Sequence, residues 1–220
     1  MRFQETQQSV TILASEKTNI VNNFMQQSRS NQTKRQSTGS NQIRIIGGSM
    51  RGRKINFSSG EGLRPTLDRI RETLFNWLAA DIQNANCLDL YAGSGALGIE
   101  AVSRGAKSVT LVDANQQVTE ILRKNLKTLS IINAKVVNQK AEQFLTNNEQ
   151  LFDLVFLDPP FNKAMLDLIM DKIKPHLSKH ALIYVEQENA SSTIDFNDQW
   201  QVIKSKKTSR FCYSLICLDN

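Results

Sequence analysis

The 220-residue chain is poor in the groups that staple or anchor a protein. Cys87, Cys212 and Cys217 are an odd number and form no CxxC pair, and two of them sit in apolar runs. That argues against a disulfide framework or a thiolate zinc site and fits a reducing cytoplasm. No run approaches the ~18 apolar residues of a membrane span. Gln and Thr interrupt every apolar run near the N-terminus, so no secretory leader is expected. The only two histidines, His176 and His180, flank an expected helix end away from any carboxylate cluster. Both are read as surface residues, and no metal site is expected. What remains is ordinary for a soluble protein: 40% hydrophobic and 22% charged residues. The length suits one sizeable domain with a small appendage.

Acidic charge is scarce in the first third. Residues 1–42 carry five basic and two acidic groups, residues 43–75 seven and three, and the rest fifteen and sixteen. This asymmetry favours a polyanion docking on the N-terminal side, although a merely solvated basic surface is common. Residues 1–42 are rich in Gln, Asn, Ser and Thr and are expected to be a disordered, dispensable extension. Residues 43–63 should be a basic hairpin and loop: strands over Ile43–Ile46 and Met50–Phe57 about Gly47-Gly48-Ser49. Arg44, Arg51, Arg53 and Lys54 on this ribbon are candidate phosphate contacts, and Arg64 just ahead of the next helix is a candidate ligand or phosphate contact. An edge hairpin guarded by charge is the plainer alternative. From residue 64 to 220 the pattern is one domain. Thr66 suits the N-cap of a helix with Ile70, Leu74, Trp77 and Leu78 inward; Arg69, Arg71 and Glu72 default to helical ion pairs.

Two stretches carry chemistry. In Cys87–Gly105, CLDLYAGSGALGIEAVSRG, a strand runs into a glycine turn and a helix. Gly93, Gly95 and Gly98 match GxGxxG in its proper setting, and Asp113 ends the next strand about twenty residues on, where a ribose-binding acid belongs. Asp89, just ahead of the turn, would repel a pyrophosphate but attract an ammonium. That favours S-adenosylmethionine over a nicotinamide dinucleotide. The second stretch is Leu151–Phe161, LFDLVFLDPPF. A buried strand ends at Asp158-Pro159-Pro160-Phe161. The prolines hold their carbonyls rigidly and supply no amide donor. A carboxylate, a fixed carbonyl and an aromatic plate suit a planar group bearing NH₂, such as a nucleobase. A simple Pro-Pro turn is the bland reading.

Taken together, RIIGGSMRGRKI, GLRPTLDRIRETLFNWL, CLDLYAGSGALGIEAVSRGA and VFLDPPF resemble the RsmD family of bacterial 16S rRNA guanine-N2 methyltransferases. The resemblance runs from Ile43 to the C-terminus. It implies a class I methyltransferase fold: an α/β, Rossmann-like, seven-stranded and mostly parallel sheet with helices on both faces, here preceded by the hairpin. It implies S-adenosylmethionine as cofactor and 16S rRNA, in the small ribosomal subunit or its assembly intermediate, as partner of a monomer. Asp158, Pro159, Pro160 and Phe161 would be catalytic. Asp89, Tyr91, Ala92, Gly93, Ser94, Gly95, Gly98, Asp113 and Ala141 would bind the cofactor. Three positions depart from the family pattern: Met50 stands in place of the usual Trp, Asn115 where a second acid is frequent, and Lys140 near the adenine amine. The last points adenine recognition to backbone groups around Gln139–Ala141.

The remaining pattern alternates. Helices are expected over Asn115–Leu129, Lys140–Leu145 and Ala164–Leu177. Strands are expected over Ala134–Asn138 and Ala181–Glu186, with a terminal pair at Trp200–Lys207 and Arg210–Leu218. Lys204, Lys206, Lys207 and Arg210 read as guards of an edge strand. Two rival functions are an adenine-N6 DNA methyltransferase, which uses the same kind of proline corner, and a non-catalytic RNA-binding scaffold.

Overall fold

Short apolar runs separated by helical stretches leave the chain little choice but parallel strands with crossovers. A computed structural model describes residues 41–57, 66–159, 163–188, 199–209 and 211–219. Its main sheet holds β3 (Asn86–Asp89), β4 (Ser108–Asp113), β5 (Ala134–Asn138), β6 (Phe152–Leu157), β7 (Leu177–Glu188), β8 (Trp200–Lys207) and β9 (Phe211–Leu218). The spatial order is β5-β4-β3-β6-β7-β9-β8. Strands β5 to β7 in that order are parallel, and β9 is antiparallel to both neighbours. The chain leaves β3 toward β4, then returns to β3's other side with β6. The crevice at the carboxyl ends of β3 and β6 is therefore the topological switch point, where open α/β sheets keep their ligands.

Strand alternation sends side chains to two cores. On one face Leu111, Phe156 and Tyr184 meet α1 (Thr66–Trp77), α2 (Ala96–Ser103) and α3 (Gln116–Leu129) through Leu74, Ile99 and Leu122. On the other, Leu88, Val155 and Ile183 meet α4 (Ala141–Asn147) and α5 (Lys163–Ile173) through Phe144 and Ile169. No helix among the described residues is long and apolar enough to cross a membrane.

The hairpin exists, but its first strand begins two residues earlier than expected and its second is shorter. β1 (Asn41–Arg44) and β2 (Lys54–Phe57) pair as a separate two-stranded sheet. Between them, residues 45–53 form a loop gripped by α2 rather than continued strand. Glu100, fully buried, accepts the N–H groups of Ile46 and Gly47 at 2.8 and 2.7 Å. Ser103 Oγ donates to the Gly47 carbonyl at 2.6 Å and accepts Met50 N–H at 2.9 Å. Ile43, Ile45, Ile55 and Phe57 complete the first core.

Arg71 makes the expected helical ion pair, with Asp68 at 2.6 Å, but is only 3% exposed and also reaches the Arg44 carbonyl at 2.9 Å, with Glu100 at 3.9 Å. Two other expectations change. The helix expected to reach Leu177 stops at Ile173, because Pro175 lacks the N–H an α-helix needs and admits only a 3-10 turn over Lys174–His176. Strand β7 then starts at Leu177, four residues early, and an irregular register between Phe152 and Leu154 absorbs the excess. His176 is buried beside Asn148, 3.3 Å from its amide, and burial lowers its pKa; His180 is exposed as expected.

Candidate active site

Asp89 ends β3 with its carboxylate turned under the glycine loop. Its Oδ2 accepts Gly98 N–H at 3.0 Å, filling one of the orphan donors in the first turn of α2. Gly95 caps that helix at φ +75°, a left-handed conformation that favours glycine, and donates to the Ala92 carbonyl at 2.6 Å to close the turn. At Gly98 a side chain would strike Leu111 and come within 3.2 Å of Asp89 Oδ2, so the absence of a Cβ lets helix and strand approach. Burial pushes the Asp89 carboxyl up to about 7; the Gly98 N–H opposes this and Asp113 adds to it. Among the described residues no basic side chain forms an ion pair with Asp89.

Asp113 ends β4 on the same face. Its Oδ2 accepts Gly93 N–H at 3.0 Å and its Oδ1 accepts Asn115 N–H at 2.7 Å. Each oxygen keeps a second lone-pair direction. Asn115 then caps α3, accepting Gln117 N–H at 2.9 Å. The position thus serves as a helix cap. Ala92 is buried and Ser94 half-buried in the turn. Tyr91 Oη is buried without a hydrogen-bond partner among the described residues, and its pKa is pushed up to about 12 by burial and then by Glu142. At the next strand end Gln139 N–H donates to the Asp113 carbonyl at 3.1 Å; Lys140, exposed and extended, precedes buried Ala141 in the first turn of α4.

The second half of the site follows β6. Asp158 is half-buried and Pro159 buried; Pro160 and Phe161 lie outside the described residues. Leu157 pairs with Val185, so Asp158 stands level with Glu186 on β7. Tyr184 Oη donates to Glu186 Oε2 at 3.1 Å. Burial raises the Tyr184 pKa well above its ordinary value, and Glu186 and Asp158 add to that. Thus Asp89, Asp113 and Asp158 gather at one end of the sheet on one face, with Tyr184 and Glu186 beside the third. The sequence held a signal for that last pair: polar atoms at alternate positions of a buried strand share a face.

The basic hairpin does not join them. The C-terminal end of α2 is tied to the amino ends of β3 and β4 through Gly105–Asn84 and Lys107–Ala85 bonds, and the end of α3 likewise through Asn133–Val109. The hairpin loop grips those helix ends, opposite Asp158. Arg53 donates to the Thr128 and Leu129 carbonyls at 2.9 and 3.2 Å, completing the C-terminus of α3. Arg44, Arg51 and Lys54 are exposed at that end, and Arg64 lies outside the described residues.

The donor set fits S-adenosylmethionine better than a dinucleotide. A buried carboxyl without a counter-cation suits an ammonium, and a second carboxylate stands where ribose hydroxyls would bond. The turn Ala92–Gly98 offers no cation to a pyrophosphate. The residues that hold the hairpin, Glu100, Ser103 and Arg71, are not legible as a group, since their partners lie 27 to 54 positions away along the chain.

Comparison with known proteins gives the same picture. A family model described as conserved hypothetical protein 95 matches residues 43–217. Ribosomal RNA small subunit methyltransferase D of Escherichia coli K12 is 47% identical over 182 residues, covering 81% of this chain and 91% of that protein. Its Haemophilus influenzae counterpart is 44% identical, covering 79% and 93%. The solved structure of a putative methyltransferase from Escherichia coli superposes with a TM-score of 0.75 at 45% identity, covering 80% of this chain and 97% of that one. The protein belongs to the RsmD family and has the class I methyltransferase fold.

Proposed function

We propose that the protein transfers the methyl group of S-adenosylmethionine to the exocyclic N2 amine of one guanine in the 16S rRNA of the small ribosomal subunit, acting in the cytoplasm. The observation that carries this reading is the convergence of Asp89, Asp113 and Asp158 at the switch point of the sheet. Similarity over most of the chain to enzymes named for small-subunit rRNA supports the choice of substrate.

The bound cofactor supplies an electrophilic methyl on a sulfonium. Asp89 takes its ammonium and Asp113 its ribose hydroxyls, and backbone groups around Gln139–Ala141 take the adenine. The guanine amine is a poor nucleophile because its lone pair is delocalised into the ring. Asp158 and the Pro159 carbonyl accept its two N–H bonds. The amine lone pair then points at the methyl, and positive charge developing on nitrogen meets fixed acceptors. The surplus proton leaves to Asp158 or to water after transfer. The base reaches this corner only when splayed from its loop, where Phe161 stacks on it for about 1–3 kcal/mol.

The test is methyl transfer from labelled S-adenosylmethionine to unmodified small subunits, naked 16S rRNA and duplex DNA in parallel. Label in the subunit or its rRNA is expected. Label only in DNA would make the protein an adenine-N6 enzyme. Cofactor binding with no label in any substrate would favour a scaffold.

A further inference from the structure

A base presented at Asp158 must bring its flanking phosphates across the same end of the sheet, and the hairpin's cations stand at the other end. The edge strand β8 has what is missing. Its partner β9 runs against β7, and β8 runs against β9, so β8 points the same way as β6 and β7. The paired positions Glu186–Tyr213 and Tyr213–Lys206 continue the row that Asp158 begins on β6. Three inter-strand steps of about 4.8 Å put Lys206 roughly 14 Å from Asp158 along this row. Lys204 lies two positions back on the same face, and Lys207 follows on the other face at the end of the strand. All three lysines are exposed, as is every residue of β8 after Trp200. Neither β8 nor β9 contains an acidic residue, so nothing in the pair offsets that charge.

Guarding the edge does not account for the placement. The exposed apolar residues of β8 are Val202 and Ile203, 47% and 43% exposed, and they carry no charge beside them on the N-terminal side. There the irregular register between Val202 and Lys204 already interrupts the edge. The lysines are gathered instead in the last four residues, at the end shared with the active site.

From this geometry we infer that Lys204, Lys206 and Lys207 form a phosphate-tracking surface that holds the rRNA strand flanking the target base. It rests on the reading of the protein as an rRNA methyltransferase and adds the surface that delivers the substrate. Ammonium groups on a solvated strand neutralise phosphates without reading sequence, so the effect is on capture and not on the chemical step.

The test compares wild type with the variants K204E/K206E/K207E and K204Q/K206Q/K207Q. Binding to naked 16S rRNA is measured from low to moderate salt, alongside methylation kinetics and cofactor affinity. The glutamine variant should lower the slope of log affinity against log salt by about 2–3, close to one per lysine removed. Both variants should raise KM for RNA at least ~10-fold, glutamate more than glutamine, with kcat and cofactor affinity unchanged. The control R51E/K54E, at the far end, should move the slope less. An unchanged slope and KM in the triple variants would overturn the proposal. A wild type that binds rRNA with this slope but methylates none of it would overturn the catalytic reading and leave the surface standing.

Discussion

Asp89 Oδ2 and Gly98 N–H, 3.0 Å apart, join the end of β3 to the first turn of α2. Burial, to 2% exposure, pushes the same carboxyl up to about 7. A cation that selects the carboxylate must displace a proton below that value. Cofactor affinity should therefore rise from pH 6 to 7.5 by several-fold. Stability without cofactor runs the other way: a carboxyl raised from 3.8 contributes most below pH 3.8 and loses that contribution as pH rises through 7. In Asp89→Asn the amide oxygen still accepts from Gly98, so the fold should persist. Affinity should fall at least ~10-fold and its pH dependence should flatten. Calorimetric titration across this window checks both; equal slopes in variant and wild type would remove Asp89 from the cofactor site.

Glu100 anchors the hairpin and answers two arginines. It is fully buried, bonded to Arg104 Nε at 2.8 Å and 3.9 Å from Arg71. Glu100→Ala strands two backbone donors and takes the carboxylate from Arg104, while Arg71 keeps Asp68 and the Arg44 carbonyl. Removing one partner of a buried pair costs about 3–5 kcal/mol, and the denaturation midpoint should drop accordingly. A loss under about 1 kcal/mol would mean that Ser103, Arg53 and the apolar residues hold the hairpin without Glu100.

Asn115 is a helix cap. Asn115→Ala should cost about 1 kcal/mol, whereas Asn115→Asp should cost little and keep the bond to Gln117. Thermal unfolding of the three proteins distinguishes a cap from a cofactor ligand, because cofactor affinity should move less than stability.

Asp158→Ala should reduce turnover by at least ~10³-fold while cofactor still binds, since a fixed acceptor is lost where charge develops. Single-turnover kinetics on small subunits measures this. A variant turning over at the wild-type rate would mean that the amine is held elsewhere.

Much of the fold was readable because its elements are locally consistent. The β3–α2–β4 unit announces itself by glycine spacing. The hairpin's placement was not readable. Arg53 looks like any basic residue on a ribbon until the end of α3 is beside it. Arg71 and Glu100 look like surface charges until they meet across the core. Strand β8 was legible as a strand, but which end of the sheet its lysines occupy depends on the antiparallel return through β9. Long-range pairing decided each of these.

The most direct test of the account is the identity of the methylated nucleoside. Small subunits lacking the modification are incubated with the protein and S-adenosylmethionine, digested to nucleosides, and the product is identified by mass spectrometry and mapped along the 16S rRNA. The account predicts N2-methylguanosine at one position, formed by wild type and absent with Asp158→Ala. A methyl on another atom, or one spread over many positions, would contradict it.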